Sequence, residues 1–152
     1  QATDGAFAAI LDDGSVVTWG QPDRGGSKPG AGAGGDSKSV QGRLKNVRAI
    51  QATFSAFAAI LDDGSVVTWG ATAVRFRGKQ LKSVQHIQAT DNALAAILDD
   101  GSVVTWGRSS AGGDSSSVQG QLRNVQHIQA SEERCASNLN DGFVVTAGGC
   151  CA

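Results

Sequence analysis

Residues Ala6–Gly20 read AFAAILDDGSVVTWG, and the same fifteen residues return without a change at Ala56–Gly70. A third copy at Ala93–Gly107 has Leu94 in place of phenylalanine, and a more divergent fourth copy, RCASNLNDGFVVTAG, follows at Arg134–Gly148. In each copy an Asp-Gly pair lies between two short strand-like runs. This is a strong hairpin signal, because glycine adopts the positive φ that such turns need. The pattern therefore predicts an all-β chain built from four tandem hairpins.

A shorter strand-like segment precedes each hairpin and reads Ile-Gln-Ala-Thr at Ile50–Thr53 and at Ile87–Thr90. Because the same elements recur in the same order, we interpret residues 1–152 as a single repeat domain. Its hairpin copies, including the preceding segment, are predicted at 1–20, 47–70, 84–107 and 125–148. The linkers between them are 21–46, 71–83 and 108–124.

The apolar run Ala56–Leu61 is continuous, which is typical of a strand that is covered on both faces. Phe57 and Leu61 fall on one face, and the other face carries mostly small residues such as Ala56 and Ala58. We therefore expect the sheets to stack, with the large residues of one unit packed on the small-residue face of the next.

The composition argues against some classes of partner. The chain has 152 residues with 13 basic and 14 acidic side chains, and its formal net charge is −1. That balance gives no reason to expect a nucleic acid partner. The sequence contains no run of about 18 apolar residues, so no helix is expected to span a membrane. It begins at Gln1, which suggests a processed product or a stretch of a longer protein; no localisation is predicted.

The pairing of Ile-Gln-Ala-Thr with Asp-Gly-Ser-Val-Val-Thr-Trp-Gly, best seen at Ile50–Gly70 and Ile87–Gly107, resembles the regulator-of-chromosome-condensation repeat family. The short period is also similar to compact bacterial members that inhibit β-lactamases. The resemblance implies a seven-bladed β-propeller with four strands in each blade. On that basis the chain holds about three and a half blades, or roughly half of the ring.

Such a partial ring has exposed sheet edges, which tend to pair with other strands. Three interpretations stay open: a part of a longer array, open edges docked on a partner, or an unusual four-bladed ring. The fourth copy is predicted to be a polar terminal cap, because Ser137, Asn138 and Asn140 replace Ala96, Ile97 and Asp99.

Several recurring residues are interpreted as structural. Trp19, Trp69 and Trp106 are expected to pack at blade boundaries, with each N–H bonded to a carbonyl, rather than to form a ligand-stacking row. Gly14, Gly64 and Gly101 are assigned to the hairpin turns. The aspartate pairs that precede them are read as turn residues rather than as a cation site or an acid–base pair.

Other candidate sites are weaker. His86 and His127 occupy equivalent positions and could approach each other on adjacent blades, so a shared metal is an alternative to ordinary surface histidines. Cys135, Cys150 and Cys151 are interpreted as buried or idle thiols, or as a clip that joins Cys135 to one of the other two. The sequence predicts no catalytic residue, no cofactor and no metal, and therefore no enzyme.

The linkers differ among the copies while the hairpins stay nearly constant. Binding specificity can therefore reside in the linkers. The candidate contact loops are 21–42, 71–82 and 108–120. The candidate partner-binding residues within these linkers are Arg24, Lys28, Asp36, Arg43, Arg75, Arg77, Lys79, Arg108 and Asp114. If the linkers and the Asp-Gly turns emerge on different rims, the domain would have one basic rim and one acidic rim.

These observations predict a non-catalytic protein–protein interaction scaffold that presents variable loops to a protein partner or a larger complex. One alternative is an accessory subunit of a large assembly. Near-identical repeats of the same family occur in algae, and this resemblance suggests a membrane complex as the assembly. Another is a guanine-nucleotide exchange factor for a small GTPase, which is what the founding family member implies.

Overall fold

The computed structural model describes residues 1–21, 37–70 and 81–131, together with the backbone of two strands near the carboxyl end. Within this part of the chain the regular structure consists of β-strands and single-turn 3₁₀ helices. The strands are β1 (Ala6–Ile10), β2 (Val16–Gly20), β3 (Val47–Ala52), β4 (Ala56–Leu61), β5 (Val66–Gly70), β6 (Val84–Ala89), β7 (Ala93–Leu98), β8 (Val103–Gly107), β9 (Val125–Ala130), β10 (Cys135–Leu139) and β11 (Val144–Ala147). The predicted all-β class is confirmed.

The strands form four small antiparallel sheets, which we call blades 1 to 4 in chain order. Blade 1 contains β1 and β2 and is extended by a bridge between Ala2 and Phe7. Blade 2 has the order β3-β4-β5, blade 3 the order β6-β7-β8, and blade 4 the order β9-β10-β11. Phe57 pairs with Trp69 in blade 2, as Leu94 pairs with Trp106 in blade 3, so the predicted repeat holds at the level of register.

The hairpin turn follows from the Asp-Asp-Gly-Ser sequence. In blade 2 the N–H of Gly64 donates to the carbonyl of Leu61 at 2.9 Å, and Asp63 Oδ1 accepts the N–H of Ser65 at 2.9 Å. Gly64 has a φ of 73°, in the left-handed region that glycine enters without steric cost. The turns of blades 1 and 3 repeat this geometry.

The blades stack as the alternation of large and small residues predicts. Ala56, Ala58 and Ile60 of blade 2 belong to one buried cluster with Leu94 and Trp106 of blade 3. Because the small side chains leave room between the sheets, the large side chains of the neighbour can fill it at close packing. The packing prediction is therefore confirmed for this pair of blades.

Each blade in the described part of the ring has three strands at most, whereas the resemblance implied four. The described parts of the linkers form short 3₁₀ helices at Ser37–Ser39, Gln41–Arg43, Ser109–Ala111 and Gln119–Gln121. The linker after blade 3 is described throughout, and there Gln119 binds the outer strand through its side chain instead of adding a backbone ladder to it.

Candidate partner-binding surface

The first linker is anchored to the outer edge of blade 1 by a short polar chain. The hydroxyls of Thr18 and Ser37 lie 2.7 Å apart, and Ser37 donates to Gln41 Oε1 at 3.2 Å. Gln41 Nε2 then donates to the carbonyl of Val16 at 2.8 Å. Below this chain the side chain of Leu44 is buried in the core between blades 1 and 2.

The third linker repeats the anchor on blade 3. Thr105 Oγ1 lies 3.0 Å from the hydroxyl of Ser115, which donates to Gln119 Oε1 at 2.8 Å. Gln119 Nε2 donates to the carbonyl of Val103 at 2.9 Å. Because edge carbonyls need a partner and the blade lacks a fourth strand here, the glutamine amide supplies it.

The exposed residues on these two anchored linkers differ. In the first linker Lys38, Arg43 and Lys45 are exposed. The equivalent positions of the third linker hold Ser116, Gln121 and Arg123, which are also exposed. The same anchor therefore presents a strongly basic surface in one copy and a mostly neutral surface in the other.

The structure places three of the nine candidate binding residues. Arg43 and Arg108 are exposed, and exposed Asp114 accepts the N–H of Ser116 at 2.9 Å. Hydrogen bonds from Ser116 hold the pKa of Asp114 below its ordinary value. The other six, Arg24, Lys28, Asp36, Arg75, Arg77 and Lys79, lie outside the described residues.

The third linker, which is described throughout, runs from one rim of the stacked blades to the other. We call the edge that carries the Asp-Gly turns the turn rim, and the opposite edge the mouth rim. Arg108 follows β8 at the mouth rim, where its N–H donates to the carbonyl of Asn92 at 2.8 Å. At the turn rim, hydrogen bonds from Ser65 and, less strongly, the charge of Lys82 hold the pKa of Asp63 below its ordinary value. Lys82 of the second linker therefore acts on an acidic turn, whereas the separation of the charges into a basic rim and an acidic rim stays a prediction.

The recurring tryptophans do not share one environment. Trp69 is 0% exposed and stacks on Phe57 with ring centroids 5.2 Å apart, and Trp106 is buried between blades 2 and 3. Trp19 is 49% exposed, so its predicted place at a blade boundary is not what the structure shows. Within the described part of the chain Trp69 Nε1 has no hydrogen-bond partner, so the expected bond to a carbonyl is absent there.

His86 and His127 do come together, as their equivalent positions suggested. Both are exposed and both line a cleft of about 100 Å³ between blades 3 and 4, together with Gln88 and Gln129. Across residues 1–21, 37–70 and 81–131, no group of three or more His, Cys, Asp or Glu side chains is arranged to hold a metal ion. The three cysteine side chains lie outside the described residues.

A larger cavity lies at the mouth rim. It is lined by the short segments that follow the inner strand of each blade, which is the strand or bridge that precedes the hairpin. Thr3, Thr53, Thr90 and Ser131 all line this cavity of about 560 Å³, so every blade contributes to it. Backbone bonds tie the segments in order: Asp4 donates to Phe54 at 3.1 Å, and Phe54 donates to Asp91 at 2.9 Å.

Sequence reasoning missed this opening, although the sequence carried a signal for it. Thr or Ser directly follows the inner strand of each copy at an equivalent position, and the next residue is Asp4, Phe54 or Asp91 in the first three copies. Those three residues are exposed. Variation at one fixed position beside a constant anchor is the same pattern that singled out the linkers.

The sequence matches no family model and no curated protein. Solved structures do resemble it. Yeast RCC1 (Prp20), determined bound to Kap60, aligns with a TM-score of 0.70 at 17% identity over 96% of this chain and 42% of that chain. Prp20p from Saccharomyces cerevisiae, described with its binding to Gsp1p and histones, gives a TM-score of 0.68 at 17% identity, over 97% of this chain and 43% of that one. Human WBSCR16 gives a TM-score of 0.65 at 14% identity, over 97% of this chain and 46% of that chain.

The fold is that of part of a β-propeller. More specifically, the fold is similar to that of the RCC1 propellers, so the predicted resemblance is confirmed at the level of the fold. The chain spans less than half the length of the propellers it matches, which agrees with the predicted partial ring. Within the described ranges we find no helix with the length and hydropathy of a membrane span.

Proposed function

We propose that residues 1–152 form one non-catalytic protein-interaction domain, in which the stacked blades hold the linkers as the partner-binding surface. One observation carries this proposal. The first and third linkers use the same Thr-Ser-Gln anchor and the same buried leucine, yet expose different side chains. A constant support with a varied surface is the usual arrangement of binding loops on a rigid scaffold.

The charge of the first linker indicates the chemistry of its partner. Lys38, Arg43 and Lys45 lie within one short segment and are exposed, whereas the third linker keeps only Arg123 at the corresponding positions. A cluster of cations speeds association with a negatively charged protein surface and orients it. The first linker is therefore proposed to contact an acidic patch on the partner.

The test uses a double variant, Lys38→Ser with Arg43→Gln, which gives the first linker the residues of the third. It leaves Ser37, Gln41 and Leu44 in place, so the anchor stays intact. A photo-crosslinking amino acid at position 39, on the exposed linker surface, first identifies the partner in an extract. Binding of that purified partner is then measured by calorimetry at low and high salt.

We expect the double variant to weaken binding about tenfold or more at low salt, with a smaller salt dependence. The matched control is Gln85→Glu with Gln126→Glu, which lowers the net charge by the same two units at exposed strand positions and should leave the affinity within about twofold. An equal loss in both variants would mean that net charge, rather than the linker surface, governs binding. Crosslinks that form equally well from position 85 on β6 would contradict the loop assignment.

The accessory-subunit alternative stays open beside this proposal. A subunit whose open blades are covered by neighbours would co-purify with them in fixed stoichiometry. Native mass measurement of the complex from its source distinguishes this alternative from a domain that binds reversibly.

The exchange-factor alternative is supported by likeness of fold to yeast RCC1 at 17% identity. It predicts faster release of a fluorescent guanine nucleotide from a small GTPase when the chain is added in substoichiometric amounts. Release that is unchanged by the chain, in the presence of demonstrated partner binding, favours the non-catalytic scaffold.

A further inference from the structure

The cavity of about 560 Å³ at the mouth rim has charges of one sign on its wall. Asp4 and Asp91 line it, and both residues are exposed. Among the described residues that line this cavity there is no lysine, arginine or histidine. Because two carboxylates line a concave surface and no basic side chain shares that lining, the potential inside the cavity attracts a cation.

Phe54 lies between these two aspartates along the rim. Its carbonyl accepts the N–H of Asp4 at 3.1 Å, and its own N–H donates to the carbonyl of Asp91 at 2.9 Å. The side chain of Phe54 is 46% exposed and lines the same cavity. The face of an aromatic ring attracts cations, so the ring and the two carboxylates favour the same kind of ligand.

Hydrogen bonds hold the wall of the cavity directly before the variable residues. Thr53 Oγ1 accepts the N–H of Ala56 at 3.0 Å, and Thr90 Oγ1 accepts the N–H of Ala93 at 2.9 Å. The backbone N–H groups of the two threonines donate in return to the carbonyls of the same alanines, at 2.8 Å and 2.9 Å. A ligand therefore meets a wall that needs little rearrangement on binding.

We propose that this cavity binds the side chain of an arginine from a protein partner. The guanidinium is planar, so it can stack on the ring of Phe54 while its N–H groups donate to the carboxylates of Asp4 and Asp91. An ammonium group has no flat face to stack. An arginine within a polypeptide also suits the site better than free arginine, because the free amino acid would bring its own carboxylate towards the two aspartates.

This contact goes beyond the proposed linker surface. Lys38, Arg43 and Lys45 do not line the cavity, and the linker surface is proposed to meet acidic groups rather than a basic one. The two surfaces therefore recognise opposite charges, and each can be tested without the other.

The test is a titration of the full chain with a blocked arginine, N-acetyl-arginine methylamide, followed in two-dimensional amide NMR spectra. We expect saturable shifts at Phe54 and Asp91 and at the threonine before each, with a dissociation constant of about 1–10 mM, as suits a single small ligand. N-acetyl-lysine methylamide should bind at least about threefold more weakly, because its ammonium cannot stack. Free arginine should also bind more weakly than blocked arginine.

Two variants remove the proposed contacts one at a time. Phe54→Ala should weaken the binding of blocked arginine about threefold to tenfold, because it removes the stacking ring. Its matched control is Phe7→Ala, since Phe7 is 50% exposed in blade 1 and does not line the cavity. Asp91→Asn should weaken binding by a similar factor, and its control is Asp99→Asn, which removes an exposed charge at the turn rim. Both controls should leave binding within about twofold.

Several distinct results would overturn the proposal. The absence of a saturable shift with blocked arginine would mean that the cavity binds no guanidinium. Equal binding of blocked lysine, or equal losses in a variant and its control, would reduce the effect to a general attraction of cations. Tighter binding of free arginine would make the amino acid the ligand instead of a partner's side chain. The titration does not use the linker partner, so its failure leaves the proposed function standing.

Discussion

Val84 donates its backbone N–H to the carbonyl oxygen of Gly64 at 2.9 Å, and this bond joins the hairpin turn of blade 2 to the first strand of blade 3. Val47 and Gly14, and Val125 and Gly101, make the same bond at the same distance. The residue before each valine, such as Ser83 with a φ of 57°, has a left-handed backbone that packs against the glycine. Contacts between backbone atoms therefore fix the position of each blade relative to the next.

Gly64→Ala should destabilise the domain by at least about 2 kcal/mol, since it adds left-handed strain to a close approach. A Cβ at this position would lie 2.9 Å from Cα of Ser83, where backbone cannot easily move aside. Urea unfolding followed by circular dichroism measures the change. Gly120→Ala is the control, because its Cβ would meet nothing within 4 Å. Equal stability of the two variants would show that the turn does not fix the blade step.

Phe57→Ala and Phe7→Ala change the same residue at the same repeat position. Phe57 is 0% exposed, so its loss opens a cavity and should cost about 3–5 kcal/mol. Phe7 is 50% exposed, and its loss should cost only about 1 kcal/mol, mostly from the stacking on Trp19. Thermal unfolding of both variants against the parent gives the comparison. Similar losses would mean that Phe7 is buried in solution.

Gln119→Ala should release the third linker from blade 3, since it removes the donor to the Val103 carbonyl at 2.9 Å. We expect a loss of about 1–2 kcal/mol, because the carbonyl is left without that partner. Hydrogen exchange should rise locally, in residues 108–122, more than in β6 and β7. Gln121→Ala is the control, on an exposed residue of the same 3₁₀ turn. Uniform exchange across the domain would argue against a local anchor.

The aspartates of the hairpin turns should make the domain less stable in acid. The hydroxyl of Ser102 donates to Asp100 Oδ1 at 2.6 Å and its N–H donates at 2.9 Å. These bonds hold the pKa of Asp100 below its ordinary value, as equivalent bonds do for Asp13. A lowered pKa in the folded state stabilises the fold above the unfolded-state pKa of about 3.9, and this contribution is lost as the pH falls through the folded pKa.

Unfolding free energies between pH 7 and pH 2.5 should therefore stay level above about pH 5 and fall below about pH 4. Ser102→Ala removes the stronger of the two bonds and should make the acid-dependent fall smaller. A variant that kept the full fall would assign the acid sensitivity to other groups.

The hairpins and the stacking of blades could be predicted from sequence because both follow from local pattern. The Asp-Gly turn requires a glycine at positive φ, and the two apolar faces of Ala56–Leu61 require neighbours on both sides. The contrast between Trp19 and Trp69 could not be predicted, since the two residues lie in identical hairpins. Their burial depends on which blade stands beside them, and no local pattern contains that information.

The linker anchors lay beyond prediction for a related reason. Thr18 and Ser37 are joined by a bond between hydroxyls, and the chain between them has no regular pattern that would bring them together. The recurrence of Ser-Val-Gln-Gly at Ser39–Gly42 and Ser117–Gly120 was visible in the sequence. The structural role of its glutamine, which donates to a carbonyl of the outer strand, could be recognised only from the position of that strand.

The identity of the hairpins in blades 1 and 2 also bears on how the chain reaches this structure. During folding, β1 and β4 offer the same side chains to any partner strand, so local sequence cannot tell a native pairing from an exchanged one. The linker anchors do not distinguish blade 1 from blade 3 either, because Thr18 with Ser37 and Thr105 with Ser115 make the same contact. We therefore expect exchange of hairpins between two molecules to be a misfolding route of this chain.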